Sequence, residues 1–82
     1  MLHILTAKHV SKFNIWIEFD DGTSGVVDLE HSLDGPIFQP LKDESFFSKV
    51  AIDPELETIA WPNGADLAPE FVKALQVKQA LL

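Results

Sequence analysis

An 82-residue chain with 46% hydrophobic residues, no Cys and a net charge of −7 reads as one globular domain with a small core, stapled by neither a disulfide nor thiolate-bound zinc. Its basic residues are six dispersed lysines (Lys8, Lys12, Lys42, Lys49, Lys73 and Lys78) with no Arg, so the basic stripe that holds a phosphate backbone is missing and direct nucleic-acid binding is not expected. No apolar run is long enough for a membrane-spanning helix or a signal-peptide core, and a chain without Cys fits the cytoplasm.

Met1 to Val10 reads as a first strand with His3, Leu5, Ala7 and His9 on one face and Leu2, Ile4, Thr6 and Lys8 on the other. Neither face is clearly apolar, so its orientation stays open. Phe13 to Phe19 alternates most strictly, with Phe13, Ile15, Ile17 and Phe19 on one face and Asn14, Trp16 and Glu18 opposite. Thr23 to Leu29 is the return strand. A two-residue turn at Asp21-Gly22 would pair Ile15 with Asp28 and place a carboxylate on the apolar face. A loop of Asp20, Asp21 and Gly22 instead pairs Ile17 with Gly25, Ile15 with Val27 and Phe13 with Leu29, and keeps that face apolar. The longer loop is therefore expected, with Gly22 in the left-handed position of a bulged turn.

Glu30 to Leu41 should be irregular, because Gly35-Pro36 and Pro40 interrupt any helix, with Leu33, Ile37, Phe38 and Leu41 docking beneath it. Asp43 to Ser48 reads as one helical turn carrying Phe46 and Phe47. Lys49 to Ile52 and Thr58 to Trp61 read as a fourth and a fifth strand around an Asp53-Pro54-Glu55 turn. A final helix begins near Pro69, where the missing proline N–H costs nothing and Glu70 meets the positive end of the helix dipole. One apolar stripe combines Phe71, Val72, Leu75 and Leu82 and should pack on the domain. Ala74, Val77 and Leu81 form a second, with Lys73, Gln76 and Gln79 elsewhere. An arc that wide is covered either by a deep groove of the same chain or by a second copy, through Ala74, Val77 and Leu81. The expected architecture is α+β: a small, mostly antiparallel sheet of about five strands, a short helical turn in the middle, and a C-terminal helix packed on one face.

The chemistry-bearing motifs are missing. No phosphate loop, dinucleotide fingerprint, zinc-protease His pair or nucleophile elbow is present, and Gly22-Thr23-Ser24-Gly25 sits in a hairpin with the wrong spacing for an elbow. His3 and His9 would stand about 20 Å apart along a strand, too far to share a metal ion. His31 has no partner at ligand spacing, and all three are expected as free surface imidazoles. Glu18, Asp20, Asp21, Asp28 and Glu30 crowd one hairpin, yet lack the alternating order of a calcium loop. Asp20 and Asp21 are better explained as turn residues bonding their own backbone. The expectation is a non-enzyme without metal or cofactor. Trp61 should pack in the core with an acceptor for its indole N–H, while Trp16 is either covered by a helix or exposed for a partner.

Taken together, Phe19-Asp20-Asp21-Gly22, Gly25-Val26-Val27-Asp28-Leu29, Phe38 to Leu41 with Phe46 or Phe47, and above all Trp61-Pro62-Asn63-Gly64-Ala65-Asp66-Leu67 with Pro69-Glu70 carry a resemblance. From about Ile4 to Phe71 the chain resembles the bacterial family called domain of unknown function 2442. The resemblance implies a small α+β domain, standing alone or preceding a helix-turn-helix domain, with some members encoded beside another small protein in a toxin–antitoxin-like pair. It implies no catalytic residue. No DNA-binding segment follows in these residues, so a transcriptional role would require a partner chain. Three functions are then expected in order: a protein-interaction domain, antitoxin-like or regulatory, whose acidity draws a basic partner or merely keeps it soluble; a small-ligand carrier or enzyme using a cleft near Trp61, Asn63 and Asp66; or a structural dimerisation module.

Overall fold

The strictest alternation in the sequence becomes the centre of the fold. In the computed structural model, which describes residues 1–81, β1 (Ile4–Ser11), β2 (Asn14–Phe19) and β3 (Ser24–Asp28) form an antiparallel sheet in the order β1-β2-β3. Ile15, Ile17 and Phe19 are buried, as are Val27 and Leu29 on the return strand. Ile17 lies opposite Gly25 and Ile15 opposite Val27, and the Leu29 N–H donates to the Phe13 carbonyl, so the register expected from the apolar pattern is the observed one.

The ambiguity of the first strand has a physical cause. Pairing runs Ile4–Phe19, then Thr6–Glu18, then His9–Ile15 and Ser11–Asn14, with register shifts that skip Leu5 and Val10. Both skipped residues are more than half exposed. Each extra residue is a bulge that turns the following side chains over. Ile4, Ala7 and His9 therefore share the core face, although strict alternation separates Ile4 from the other two.

The five strands divide between two sheets: β4 (Ala51–Asp53) and β5 (Thr58–Ala60) form a separate antiparallel pair. It sits against β1, where the Ile4 N–H donates to the Glu57 carbonyl. The connection from β3 holds 3₁₀ turns at Glu30–Ser32 and Pro36–Lys42, the latter accommodating Pro40, followed by a one-turn helix, α1 (Glu44–Phe47). The Asp43 carboxylate caps α1 by accepting from the Ser45 N–H at 3.1 Å. Leu33, Leu41 and Phe47 join the core and Phe38 packs beside it, but Ile37 is nearly half exposed rather than docked.

The C-terminal helix α2 (Pro69–Ala80) starts where expected, and Val72 and Leu75 of the expected stripe pack on the core, but Phe71 does not. Val72 is fully buried while Phe71 is 44% exposed. Leu82, placed in the same stripe, lies outside the described residues. Gln76 and Gln79, which lie outside both apolar stripes, turn toward β3. An ideal Cβ on Gly25 would stand 2.7 Å from the Gln76 amide nitrogen, and Gln79 bonds the Asp28 backbone. The helix lies along a strand with backbone groups to satisfy, and amides do that where leucines cannot.

Candidate functional site

Two tight turns organise the surface, and they are the same turn. In Phe19-Asp20-Asp21-Gly22-Thr23 the Gly22 N–H donates to the Phe19 carbonyl and the Phe19 N–H to the Thr23 carbonyl. In Trp61-Pro62-Asn63-Gly64-Ala65 the Gly64 N–H donates to the Trp61 carbonyl and the Trp61 N–H to the Ala65 carbonyl. The fourth residue is glycine at φ +88° and +89°, the left-handed position after a tight turn, and the leading aromatic is buried in both. After the second turn the chain doubles back along β5. Ala60 bridges Asp66, the Leu67 N–H meets the Ile59 carbonyl, and the Thr58 hydroxyl donates to the Leu67 carbonyl at 2.5 Å. This returning segment is absent from the reading of the sequence, although Asn63-Gly64 after a strand is a hairpin signal that could have shown it.

The polar atoms of the Trp61 stretch serve the fold. The Trp61 indole N–H donates to the Phe47 carbonyl at 2.9 Å, and the two rings lie 5.6 Å apart. Asn63 donates to the Ile37 carbonyl at 2.8 Å and accepts from the Ala65 N–H at 3.2 Å, tying the turn to the 3₁₀ segment. Asp66 is exposed. A shallow groove of about 280 Å³ runs beside Trp61 past Lys49, Ile52, Pro54 and Pro62, and neither Asn63 nor Asp66 lines it. The three residues are thus neighbours in a turn and not walls of one cleft.

The hairpin carboxylates are also engaged. Glu18 accepts from the Thr6 hydroxyl at 3.0 Å, and Asp28 from the Glu30 N–H at 2.9 Å. Asp20 accepts from the His3 backbone N–H and faces His3 Nδ1 at 2.9 Å, while His3 Nε2 faces Glu57 at 3.0 Å. His3 is therefore not a free imidazole: it links the first strand to both hairpins. His9 is not free either, since its ring stands edge-on to Phe47 and its Nε2 lies 2.8 Å from the Lys12 carbonyl. His31 is exposed. The His3 backbone N–H is the largest influence holding Asp20 below the ordinary carboxylate range.

Asp21 is held lower still, at about 2, first by the Thr23 hydroxyl, then by the Thr23 N–H, then by Lys73 at 3.0 Å. A depressed folded-state pKa contributes stability that is present above the ordinary value of 3.8 and is lost as pH falls toward 2. The Asp21 carboxyl carbon followed by NMR is expected to titrate near 2. Thr23→Val should raise that midpoint more than Lys73→Met, and an ordinary midpoint in the native chain would contradict the assignment.

The surface left open is the outer side of β3 and the helix beside it. Phe19 bonds Thr23 and Phe13 bonds Leu29, so residues 23, 25, 27 and 29 turn their backbone groups toward β2. Ser24, Val26 and Asp28 turn theirs outward. Gln79 takes both groups of Asp28, accepting from its N–H and donating to its carbonyl at 2.9 Å each. Among the described residues, the N–H and C=O of Ser24 and Val26 find no protein partner. β1, by contrast, is backed by the second hairpin. Between β3 and α2 lies an open groove of about 440 Å³ lined by Gly25, Val26, Gln76, Val77 and Ala80. Val26 and Val77 are each about half exposed, at 51% and 49%.

Of the residues singled out from the sequence, Val77 lines this groove, and Trp16 lies across the sheet from Val26, which also lines it. Trp16 is half-buried on the outer sheet face between Lys8 and Val26, its cross-strand neighbours. Ala74 and Val77 on α2 and Leu81 just past its end are exposed, Leu81 at 82%, and Val77 lines the groove. At the hairpin end, Lys73 anchors the helix to Asp21 and the Thr23 hydroxyl and stands 4.9 Å from the Phe19 ring centre. No helix among the described residues is long and apolar enough to cross a membrane.

A family model described as "Protein of unknown function (DUF2442)" matches residues 4–75. No curated protein and no solved structure matches the chain.

Proposed function

The chain belongs to the DUF2442 family, and from that premise we propose that it is a cytoplasmic protein-interaction domain, an antitoxin-like or regulatory partner of another protein, that docks through the groove between β3 and α2. One observation supports this above the others. Exposed Val26 and Val77 flank a groove beside strand groups without protein partners among the described residues, with Trp16 next to Val26. Apolar surface beside unsatisfied backbone is what a partner covers. A charge of −7 favours a basic partner and speeds its approach at low salt. Enzymatic or small-ligand chemistry is a weaker reading, because the Trp61 and Asn63 side chains are engaged by the Phe47 and Ile37 carbonyls and the Ala65 N–H.

Co-purification at native expression level, at low and high salt, tests the proposal. A basic protein should be retained at low salt and released at high salt, and Val77→Asp should lose it while the circular dichroism spectrum stays native. Retention unchanged by Val77→Asp would remove the groove from the account. A shift of mixed DNA and RNA by the purified chain would overturn the choice of a protein partner. The exposed row Ala74, Val77 and Leu81 favours a second reading, a homodimer built on α2. Light scattering at high concentration decides it: a dimer dispersed by Val77→Asp supports that reading, and a monomer excludes it.

A further inference from the structure

We propose that the partner enters the groove as an extended strand, adding antiparallel to β3 by backbone hydrogen bonds at Ser24 and Val26, with the Gln79 side chain acting as a latch on the last position of that edge. The inference rests on the docking reading above and specifies its occupant: a short β-branched segment flanked by Lys or Arg.

The edge itself indicates a peptide. Ser24, Val26 and Asp28 present outward N–H and C=O groups, spaced as a strand presents them. At Asp28 a primary amide already fills the position, with one acceptor and one donor matched to the backbone pair. That is the hydrogen-bonding pattern of a peptide unit, supplied by a side chain. At Ser24 and Val26 the same pattern finds no protein partner among the described residues. Adding a strand is a recurrent way of recognising extended peptides, with main-chain bonds supplying affinity and alternate side chains specificity.

The walls select the side chains. An added strand would point alternate residues to the two faces of the sheet. On the core side they would enter the groove, where Gly25 has no side chain and Val77 and Ala80 are apolar. On the outer side they would lie beside Val26 and, beyond it, Trp16. Both sides accept apolar residues, and β-branched residues suit an extended backbone. The overall charge of −7 favours basic flanks and opposes a second copy of the same acidic chain as the occupant.

The test uses the acetylated, amidated heptapeptide Lys-Thr-Val-Ile-Val-Thr-Lys and the same peptide with Pro for Ile. Added to the 82-residue chain, the first should shift the Ser24 and Val26 amide resonances and slow their hydrogen exchange, and the second should not. Val26→Pro removes an outward N–H and spares the β2–β3 ladder, so the protein should stay folded and bind at least tenfold more weakly. Gln79→Ala opens the Asp28 position and should tighten binding roughly fivefold to tenfold. Shifts confined to other residues, equal binding by Val26→Pro, or weaker binding by Gln79→Ala would each overturn the strand mechanism. So would a Val26→Pro-sensitive dimer of the chain alone in sedimentation, which would place a second copy on the edge. If Val26→Pro retains a captured partner that Val77→Asp loses, docking stands and strand addition falls.

Discussion

Replacing Trp61 by Ala is expected to lower the stability of the domain by about 3–5 kcal/mol. The residue is 4% exposed, its ring lies 5.6 Å from that of Phe47, and its N–H donates to the Phe47 carbonyl. Truncating a buried aromatic removes transfer free energy and leaves a cavity, together about 3–5 kcal/mol. A domain of this length is stable by roughly 4–12 kcal/mol, so the loss takes a large fraction of the whole. Trp61→Phe separates the two contributions. It keeps a ring against Phe47 but removes the indole donor from the Phe47 carbonyl, which still accepts from the Val50 N–H, at a cost of about 0.5–1.5 kcal/mol. Urea denaturation monitored by circular dichroism should rank native above Trp61→Phe above Trp61→Ala. A loss below about 1 kcal/mol for the alanine variant would show that the core does not depend on this residue.

Gly22→Val and Gly64→Val should each lower stability by about 2 kcal/mol, a drop of roughly 8–16 °C in Tm. Nothing lies within 4 Å of an added Cβ at either position, so crowding is not the cause. The cost is backbone conformation, because φ of +88° and +89° is nearly closed to β-branched residues. Gly22→Asn should be much milder, since Asn tolerates the left-handed region. Gly25→Ala is the contrasting case, where an added Cβ meets the movable end of Gln76 at 2.7 Å and the helix contact loosens while the turn survives. Equal Tm values for Gly22→Val and Gly22→Asn would contradict the conformational argument.

The parts of the fold set by local pattern are legible in the sequence. Apolar alternation in β2 and β3 selects one register, and Gly22 follows from the loop length that register needs. Pro69 marks the start of α2, and Trp61 announces its own need for an acceptor. What stays hidden depends on contacts between elements. The division into two sheets is decided by where the second hairpin meets β1. The bulges at Leu5 and Val10 leave no local mark, because a skipped residue looks like an interrupted pattern. Phe71 outweighs Val72 in hydrophobicity, yet Val72 is inside, because the orientation of α2 follows from Gln76 and Gln79 reaching β3. A glutamine on a helix reads as solvent-facing until the strand it serves is in view. The candidate surface was legible in the same partial way: Trp16 stands out opposite the apolar face of its strand and Val77 within a second apolar stripe of the helix, whereas the open backbone between them belongs to no side chain.

The skipped residues of β1 bear on how the gene can change length. Eight residues of β1 run beside six of β2, so two have no cross-strand counterpart. A codon lost within a regular strand inverts every side chain beyond it. A codon lost at Leu5 instead leaves Ile4 opposite Phe19 and Thr6 opposite Glu18, the partners they already have. Loss at Val10 likewise keeps His9 with Ile15 and Ser11 with Asn14. Those two sites are where this strand can shorten without disturbing its pairing, and between them the spacing of Thr6 to His9 is held in frame by the sheet.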